Sequence, residues 1–261
     1  MHPFFHILGR TVPGYGLMIA LGLVAATALA WHRVRRQGLS TDHLLTIVAC
    51  GIGLAMVGAK LLYLFTAFSP AQLLEYLRDG NFQILSDGGM VFYGGLLGGI
   101  AGAWLGAYIA GTRLSLYVDA LVPAIPLGHA FGRVGCFLAG CCYGIPWQGA
   151  LAVCYPPSPL GLTPEGPVFP IQLLESLLCL VLCGLLLWSG RYPHKPLDLA
   201  GLYLILYGLM RFGLEYLRGD LIRGFFGPLS TSQWISLLML LAGILCFVLG
   251  RCALFPSRDK K

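Results

Sequence analysis

Apolar residues in this chain run in long stretches with few polar interruptions, at 12–31, 43–66, 90–110, 117–131, 171–189, 199–217 and 233–250. A helix that is apolar all round has no solvated face and belongs in a large core or a bilayer. Crossing the hydrocarbon takes roughly 20 such residues. The pattern therefore predicts an all-α integral membrane protein with about seven transmembrane helices. The fourth stretch is short and carries Pro123, Pro126 and Gly128, which suits a broken helix leading into a glycine-rich re-entrant loop buried within protein. The segment 155–170 is rich in proline and glycine and reads as a small irregular loop on the outward side.

Composition agrees with the pattern. Of 261 residues, 57% are apolar and 11% charged, against ~25% charged in soluble domains, and the mean hydropathy is +0.78. A soluble globular protein is excluded, and seven spans fill the chain as one membrane domain, 1–261. The net charge of +6 comes from 17 basic residues dispersed over an apolar chain, so no basic face suited to nucleic acid arises. The N-terminal stretch reads as a retained span: only Arg10 precedes it, while Arg33, Arg35 and Arg36 follow, the reverse of a secretory signal. With seven spans, Arg33, Arg35, Arg36, Arg113, Arg191, Lys195, Arg251, Arg258, Lys260 and Lys261 share one side. The positive-inside rule makes that side cytoplasmic, with the N-terminus outward and the C-terminus inside. The tail 258–261 is expected to meet anionic headgroups or to stay disordered.

Among the other basic residues, Lys60 and Arg211 lie within apolar runs, where a central charge costs ~2.5 kcal/mol or more on insertion scales. Such a cost points to a polar cavity; the bland alternative is pairing with Glu175 or Glu215, or snorkelling. Two glycine-rich stretches flank the expected cavity, 87–99 and 132–144. Gly98, Gly99 and Gly102 suit close helix packing. The glycines of 132–144 are irregularly spaced beside Arg133, which suits an interrupted helix offering backbone N–H groups, and a guanidinium fork, to an anion. No P-loop, dinucleotide fingerprint or solenoid repeat occurs in the sequence.

Tyr15-Gly-Leu-Met18, the Asp-Gly-Gly-Met run from Asp87 through Gly95, Gly-Arg-Val-Gly at 132–135, the segment from Gln172 to Glu175, and Arg211-Phe-Gly-Leu-Glu-Tyr-Leu-Arg218 occur in that order. In this the chain resembles, over nearly its whole length, the bacterial phosphatidylglycerol:prolipoprotein diacylglyceryl transferases. The resemblance implies a seven-helix inner-membrane enzyme that moves a diacylglyceryl group from phosphatidylglycerol to the thiol of a lipoprotein signal-peptide cysteine, with glycerol phosphate leaving and no cofactor. Its partners would be that phospholipid and the prolipoprotein signal peptide.

The departures from the family pattern fall on polar positions. Tyr93-Gly94-Gly95 stands for the family's His-Gly-Gly, Gly135-Cys136-Phe137 for Gly-Asn-Phe, and Ala139-Gly140-Cys141 for Asn-Gly-Glu. Phe169 replaces a further histidine, and Lys60 takes the place of a second-span arginine. Phosphate-holding residues survive while acid–base residues do not, which puts the acceptor in doubt more than the donor.

The chemistry itself requires cations on the leaving phosphate. Arg133 and Arg211 are the natural pair, with Arg218 one or two turns away. A thiol nucleophile needs modest activation, a hydroxyl a stronger base. Tyr93, His129 and Cys136 compete for the role of the missing histidine. Tyr93 needs arginines to lower its pKa and reads equally as an interfacial or hydrogen-bonding residue; His129 lies four residues before Arg133, on the same helical face, and reads more readily as a hydrogen-bonded packing histidine than as a catalytic one. The expected catalytic set is Arg133, Arg211, Tyr93 and Cys136, with Tyr15, Lys60, Gly94, Gly95, His129, Gly144, Gln172, Glu215 and Arg218 binding substrate.

Cys50, Cys179, Cys183 and Cys246 read as inert span residues, and Cys252 near the cytoplasmic end says little. For Cys136, Cys141 and Cys142, followed by Cys154, three readings compete: a disulfide, a thiolate activated by Arg133, or a metal site. The spacing C-x4-C-C without a second ligand pair is poor for zinc, so no metal is expected. A disulfide from Cys154 to Cys141 or Cys142 stays open. A non-catalytic phospholipid or signal-peptide binding protein is the alternative function.

Overall fold

The computed structural model describes residues 4–7, 10–79, 89–156, 163–192, 195, 197–219 and 224–249. Asp87, Gly88, Arg223, Arg251, Cys252, Arg258, Lys260 and Lys261 lie outside the described residues. The helices in chain order are α1 (Gly14–Arg36), α2 (Thr41–Ala67), α3 (Pro70–Arg78), α4 (Phe92–Ile109), α5 (Leu114–Leu121), α6 (Ala124–Ala139), α7 (Ile171–Ser189), α8 (Asp198–Leu214) and α9 (Thr231–Leu249). Two short hairpins accompany them, β1 (Phe4–Ile7) with β2 (Arg10–Pro13) and β3 (Phe225–Phe226) with β4 (Leu229–Ser230). Neither they nor the short surface helix α3 are visible in the apolar pattern, because none of them is an apolar run.

Five of these helices, α1, α2, α4, α7 and α9, are long and apolar enough to cross a membrane, and the α5–α6 pair makes a sixth if counted as one broken span. The remaining expected span, 199–217, corresponds to α8, which is 17 residues long and continues as the 3-10 turn Glu215–Leu217. α5 and α6 meet at a 52° bend. The cause is Pro123, which cannot donate to the preceding turn. Pro126 falls in the first turn of α6, where a missing N–H costs nothing. One expectation is corrected: Gly132 and Gly135 do not interrupt the helix, since α6 is continuous to Ala139 and stops only at Gly140, whose φ of 73° closes the cap. Gly135 is there for closeness, because a side chain would press on Tyr15 and Met18 of α1.

The chain divides into two compact units, 34–117 and 1–33 with 118–261. In the first, α2 and α4 pack at backbone contact. Gly94, Gly98 and Gly102 recur every fourth residue, and a Cβ on each would overlap the carbonyl oxygen of Gly58, Leu54 and Cys50 respectively. Gly106 extends the stripe against Ile47. Lipid gives no hydrophobic drive between helices, so this close van der Waals fit is what holds them together.

In the second unit α6 packs on α7, α7 on α8 and α8 on α9. Gly201 and Gly208 of α8 repeat the small-residue device against Gly243 and Ser236 of α9. Val122, Leu182, Leu186 and Leu199 form the apolar core, and the Ser176 hydroxyl donates to the Ala130 carbonyl at 3.0 Å, pinning α7 to α6. Elsewhere the usual polarity is inverted: Val24, Leu177 and Leu238 are exposed, while Gln172, Glu175, Arg211, Ser232, Gln233 and Ser236 are buried. Apolar surface faces lipid and the polar groups collect inside.

Candidate active site

The buried polar residues of the second unit converge on Glu175, one turn into α7 and 1% exposed. Arg133 of α6 places Nη2 2.9 Å from its Oε1. Arg218, just beyond the 3-10 turn, places Nη1 3.9 Å from Oε2. His129, one turn before Arg133, lies with Nε2 3.7 Å from Oε1. Arg133 also donates from Nε to His129 Nε2 at 3.2 Å. That nitrogen is therefore an acceptor, and the imidazole is neutral with its proton on Nδ1. His129 and Arg133 share a helical face as their spacing predicts. The histidine's lone pair is spent on orienting the arginine, however, so in this arrangement it is not free to act as a base.

A second pair flanks this cluster. Arg211 on α8 is buried; its Nη2 contacts Glu215 Oε2 at 2.7 Å and donates to Ser232 Oγ of α9 at 2.9 Å. Its Nη1 has no hydrogen-bond partner. The pairing considered for Arg211 from sequence thus exists, without satisfying the whole guanidinium. Tyr207, one turn earlier on α8, packs its ring 5.4 Å from the His129 ring, which sets the Arg211 face of α8 against the Arg133 face of α6.

Backbone contacts hold Arg218 in place. Gly144 bridges to Arg218, Ile145 N donates to Leu217 O at 3.0 Å, and Gly219 N donates to Tyr143 O at 3.2 Å. A side chain at Gly144 would strike the Phe169 and Leu217 carbonyls, so close approach explains that glycine. Gln172 donates from Nε2 to the Cys141 carbonyl at 2.8 Å and to the Tyr155 hydroxyl at 3.1 Å, fixing the turn after α6. Burial pushes the Tyr155 phenol up to about 12, so it remains neutral. Gln172 Oε1 accepts no hydrogen bond, whereas Glu175 Oε1 is held in the ion pair with Arg133.

Of the residues expected from sequence, the second unit thus brings together Arg133, His129, Arg218, Gln172 and Gly144, with Arg211 and Glu215 alongside. Tyr15 lies against Gly135, the residue before Cys136. Lys60, Tyr93, Gly94 and Gly95 belong to the first unit. There Lys60 Nζ stands 5.2 Å from the Tyr63 ring centre, Tyr93 is 45% exposed, and Gly94 is part of the packing stripe. Cys136, Cys141, Cys142 and Cys154 are not joined in disulfides, so those considered for Cys154 are not formed in this structure. The residue undervalued from sequence is Glu175, treated only as a possible partner for a cation. A lone carboxylate inside an apolar run is itself a signal of function.

A bundle of helices with apolar outer surfaces enclosing three arginines, two of them on one buried carboxylate, defines a multi-pass membrane protein with buried cationic groups. Comparison with known proteins narrows this. The family model for prolipoprotein diacylglyceryl transferase matches residues 3–249. A phosphatidylglycerol–prolipoprotein diacylglyceryl transferase of Clostridium tetani is 37% identical over 249 residues, covering 95% of this chain and 96% of the relative. The enzyme of that name numbered 2 in Clostridium perfringens is 33% identical over 247 residues, covering 94% and 93%, and one of Dehalococcoides mccartyi is 32% identical over 250 residues, covering 94% and 91%. The chain belongs to the prolipoprotein diacylglyceryl transferase family.

Proposed function

We propose that the protein transfers the diacylglyceryl group of phosphatidylglycerol to the thiol of a prolipoprotein signal-peptide cysteine, releasing glycerol phosphate, in the bacterial cytoplasmic membrane. The observation that carries this beyond family membership is a pair of buried polar atoms without a hydrogen bond, the donor Arg211 Nη1 and the acceptor Gln172 Oε1, beside the Arg133–Glu175 ion pair. Buried groups of that kind mark a ligand position. A phosphoglycerol headgroup, an anion bearing hydroxyls, complements such a donor and acceptor. In this reading Arg133, Arg211 and Arg218 bind the phosphate and stabilise the leaving glycerol phosphate, while Glu175 and His129 aim Arg133. Gln172 and Gly144 shape the turn beneath, and Tyr15 lines it. Lys60, Tyr93, Gly94 and Gly95 are assigned on the family resemblance.

The orientation we propose puts the N-terminus outward. It is supported at one end of the second unit, where Arg33 donates from Nη2 to the Asp119 carbonyl at 3.0 Å and approaches Gly190 at the end of α7, so the basic ends of α1 and α7 share a side.

The test is complementation of a bacterium depleted of its own transferase, paired with transfer from labelled phosphatidylglycerol to a prolipoprotein peptide by the purified chain. Growth and labelled peptide are expected. Lipid bound without either would instead establish a non-catalytic binding protein. Loss of transfer in Tyr93→Phe and Lys60→Met, with lipid binding retained, would place both residues in the chemical step.

A further inference from the structure

The turn that ends α6 assembles three thiols. Gly140 N donates to the Phe137 carbonyl at 3.3 Å and Cys141 N to the Cys136 carbonyl at 3.2 Å. That paired pattern around a left-handed glycine folds the second residue past the cap onto the last turn of the helix, where an apolar contact usually forms. Here both contacting residues are cysteines. Cys142 follows with φ of 59°, a conformation costing a non-glycine residue on the order of 1 kcal/mol or more. The strain brings in a third thiol: the Sγ atoms of Cys136, Cys141 and Cys142 all lie within 4.8 Å of one another. Among the described residues no other three histidine, cysteine or acidic side chains are grouped as metal ligands.

We propose that Cys136, Cys141 and Cys142 form a three-thiolate zinc site whose fourth position receives the acceptor thiol. Zinc–sulfur bonds of ~2.3 Å place sulfurs ~3.8 Å apart, within the spread observed. All three residues are partly exposed, so ion and acceptor reach them. The spacing argument against zinc counted ligand pairs along the chain; the turn supplies three ligands at one point. Three ligands plus an open position is the catalytic form of a zinc site, whereas structural sites are closed by four. The site also answers the missing acid–base residues.

This inference rests on the proposed transfer. A signal-peptide thiol entering the fourth position loses its proton to solvent. Its sulfur attacks the glyceryl carbon, the carbon–sulfur bond forms, and the carbon–oxygen bond to phosphate breaks. The bonding pair leaves on glycerol phosphate, whose extra charge meets the arginines or takes up a proton. No oxidant or reductant is needed.

The full chain, purified in detergent under reductant, is titrated with cobalt as a spectroscopic probe and then with zinc. A thiolate-to-cobalt charge-transfer band saturating at about one metal per chain and bleached by zinc is expected. Cys141→Ser and Cys142→Gly are expected to weaken binding at least tenfold, and Cys154→Ser to leave it unchanged. Cys142→Gly relieves the strained backbone, so its loss of metal cannot be attributed to misfolding. No charge-transfer band, or an identical band in the triple serine variant, overturns the site. Transfer that survives a chelator in the wild-type chain and also persists in the triple serine variant overturns the inference and leaves the transfer reading standing. A cobalt band without any transfer activity overturns the activating role together with that reading, because no acceptor is being alkylated.

Discussion

Replacing Glu175 by glutamine keeps the side chain's size and removes its charge from a position that is 1% exposed. The carboxylate faces Arg133 at 2.9 Å and Arg218 at 3.9 Å. At an effective dielectric constant of about 20, unit charges at those separations attract by roughly 4 to 6 kcal/mol each, before the opposing cost of desolvation. Removing one partner of a buried ion pair typically costs 3–5 kcal/mol net, because the remaining charges stay buried without compensation. Glu175→Gln is therefore expected to lower the melting temperature of the detergent-solubilised protein by roughly 10 °C. It should also cut transfer by more than about a hundredfold, since 3 kcal/mol of lost positioning already corresponds to that. Glu175→Asp retains the charge but withdraws it by one methylene, and should fall between. The decisive control is the double variant Arg133→Gln with Glu175→Gln: if the two charges compensate each other, its stability loss is smaller than the sum of the single losses by ~0.5–3 kcal/mol. Additive losses, or a Glu175→Gln protein as stable and active as wild type, would refute the claim that this carboxylate organises the site.

Arg133→Lys and Arg211→Lys should each reduce transfer by ~30-fold to a thousandfold, the equivalent of 2 to 4 kcal/mol, because a point charge does not reproduce a planar fork; near wild-type rates in both would remove phosphate binding from these residues. Gly98→Leu forces a side chain into the Leu54 carbonyl and should destabilise the α2–α4 pair by at least about 1–3 kcal/mol, whereas Gly53→Ala, with open space around it, should be neutral or slightly stabilising; thermal unfolding in detergent distinguishes them. A cysteine at position 35 in a background lacking Cys136, Cys141, Cys142 and Cys154 should resist an impermeant maleimide added to intact cells, while Cys154 restored alone to that background labels; the reverse result would invert the topology.

Most of the fold was legible because a bilayer enforces one rule over the whole chain. Each lipid-facing helix must be apolar for about 20 residues, so runs of apolar letters map onto α1, α2, α4, α7 and α9. The α5–α6 break was legible for a local reason, since Pro123 cannot continue a helix. Gly98 and Gly102 were legible as packing residues, and what failed was the reading of Gly132 and Gly135 as a helix break. The same letter closes a cap at Gly140, admits a neighbouring backbone at Gly94, Gly98 and Gly144, and relieves crowding beside Tyr15 at Gly135. Only the partner helix distinguishes these uses, and the partner is not encoded nearby in sequence. For the same reason Arg133 and Arg211 could be chosen as cations, but their shared surroundings could not be foreseen. Glu175 lies 42 residues beyond Arg133 and 43 before Arg218, and only the packing of α6, α7 and the turn after α8 brings the three together.

That arrangement also bears on where this chain departs from its family's pattern. Arg133, Arg211 and Arg218 against Glu175 and Glu215, with His129 neutral, leave one net positive charge, the complement of a singly charged phosphodiester. In the proposed headgroup site the glutamates let three guanidiniums stay buried without ligand, and an arriving phosphate would complete the balance without displacing all of their contacts. A site so matched tolerates little change on the donor side. The acceptor asks for less: a thiol with an ordinary pKa of ~8.5 needs only modest help to become a thiolate, which a base, a cation or a soft metal can each supply. On the proposed reading divergence should therefore collect at the residues that prepare the acceptor, and the departures at Tyr93, Cys136, Cys141 and Phe169 suit that expectation, whereas Lys60 keeps its charge.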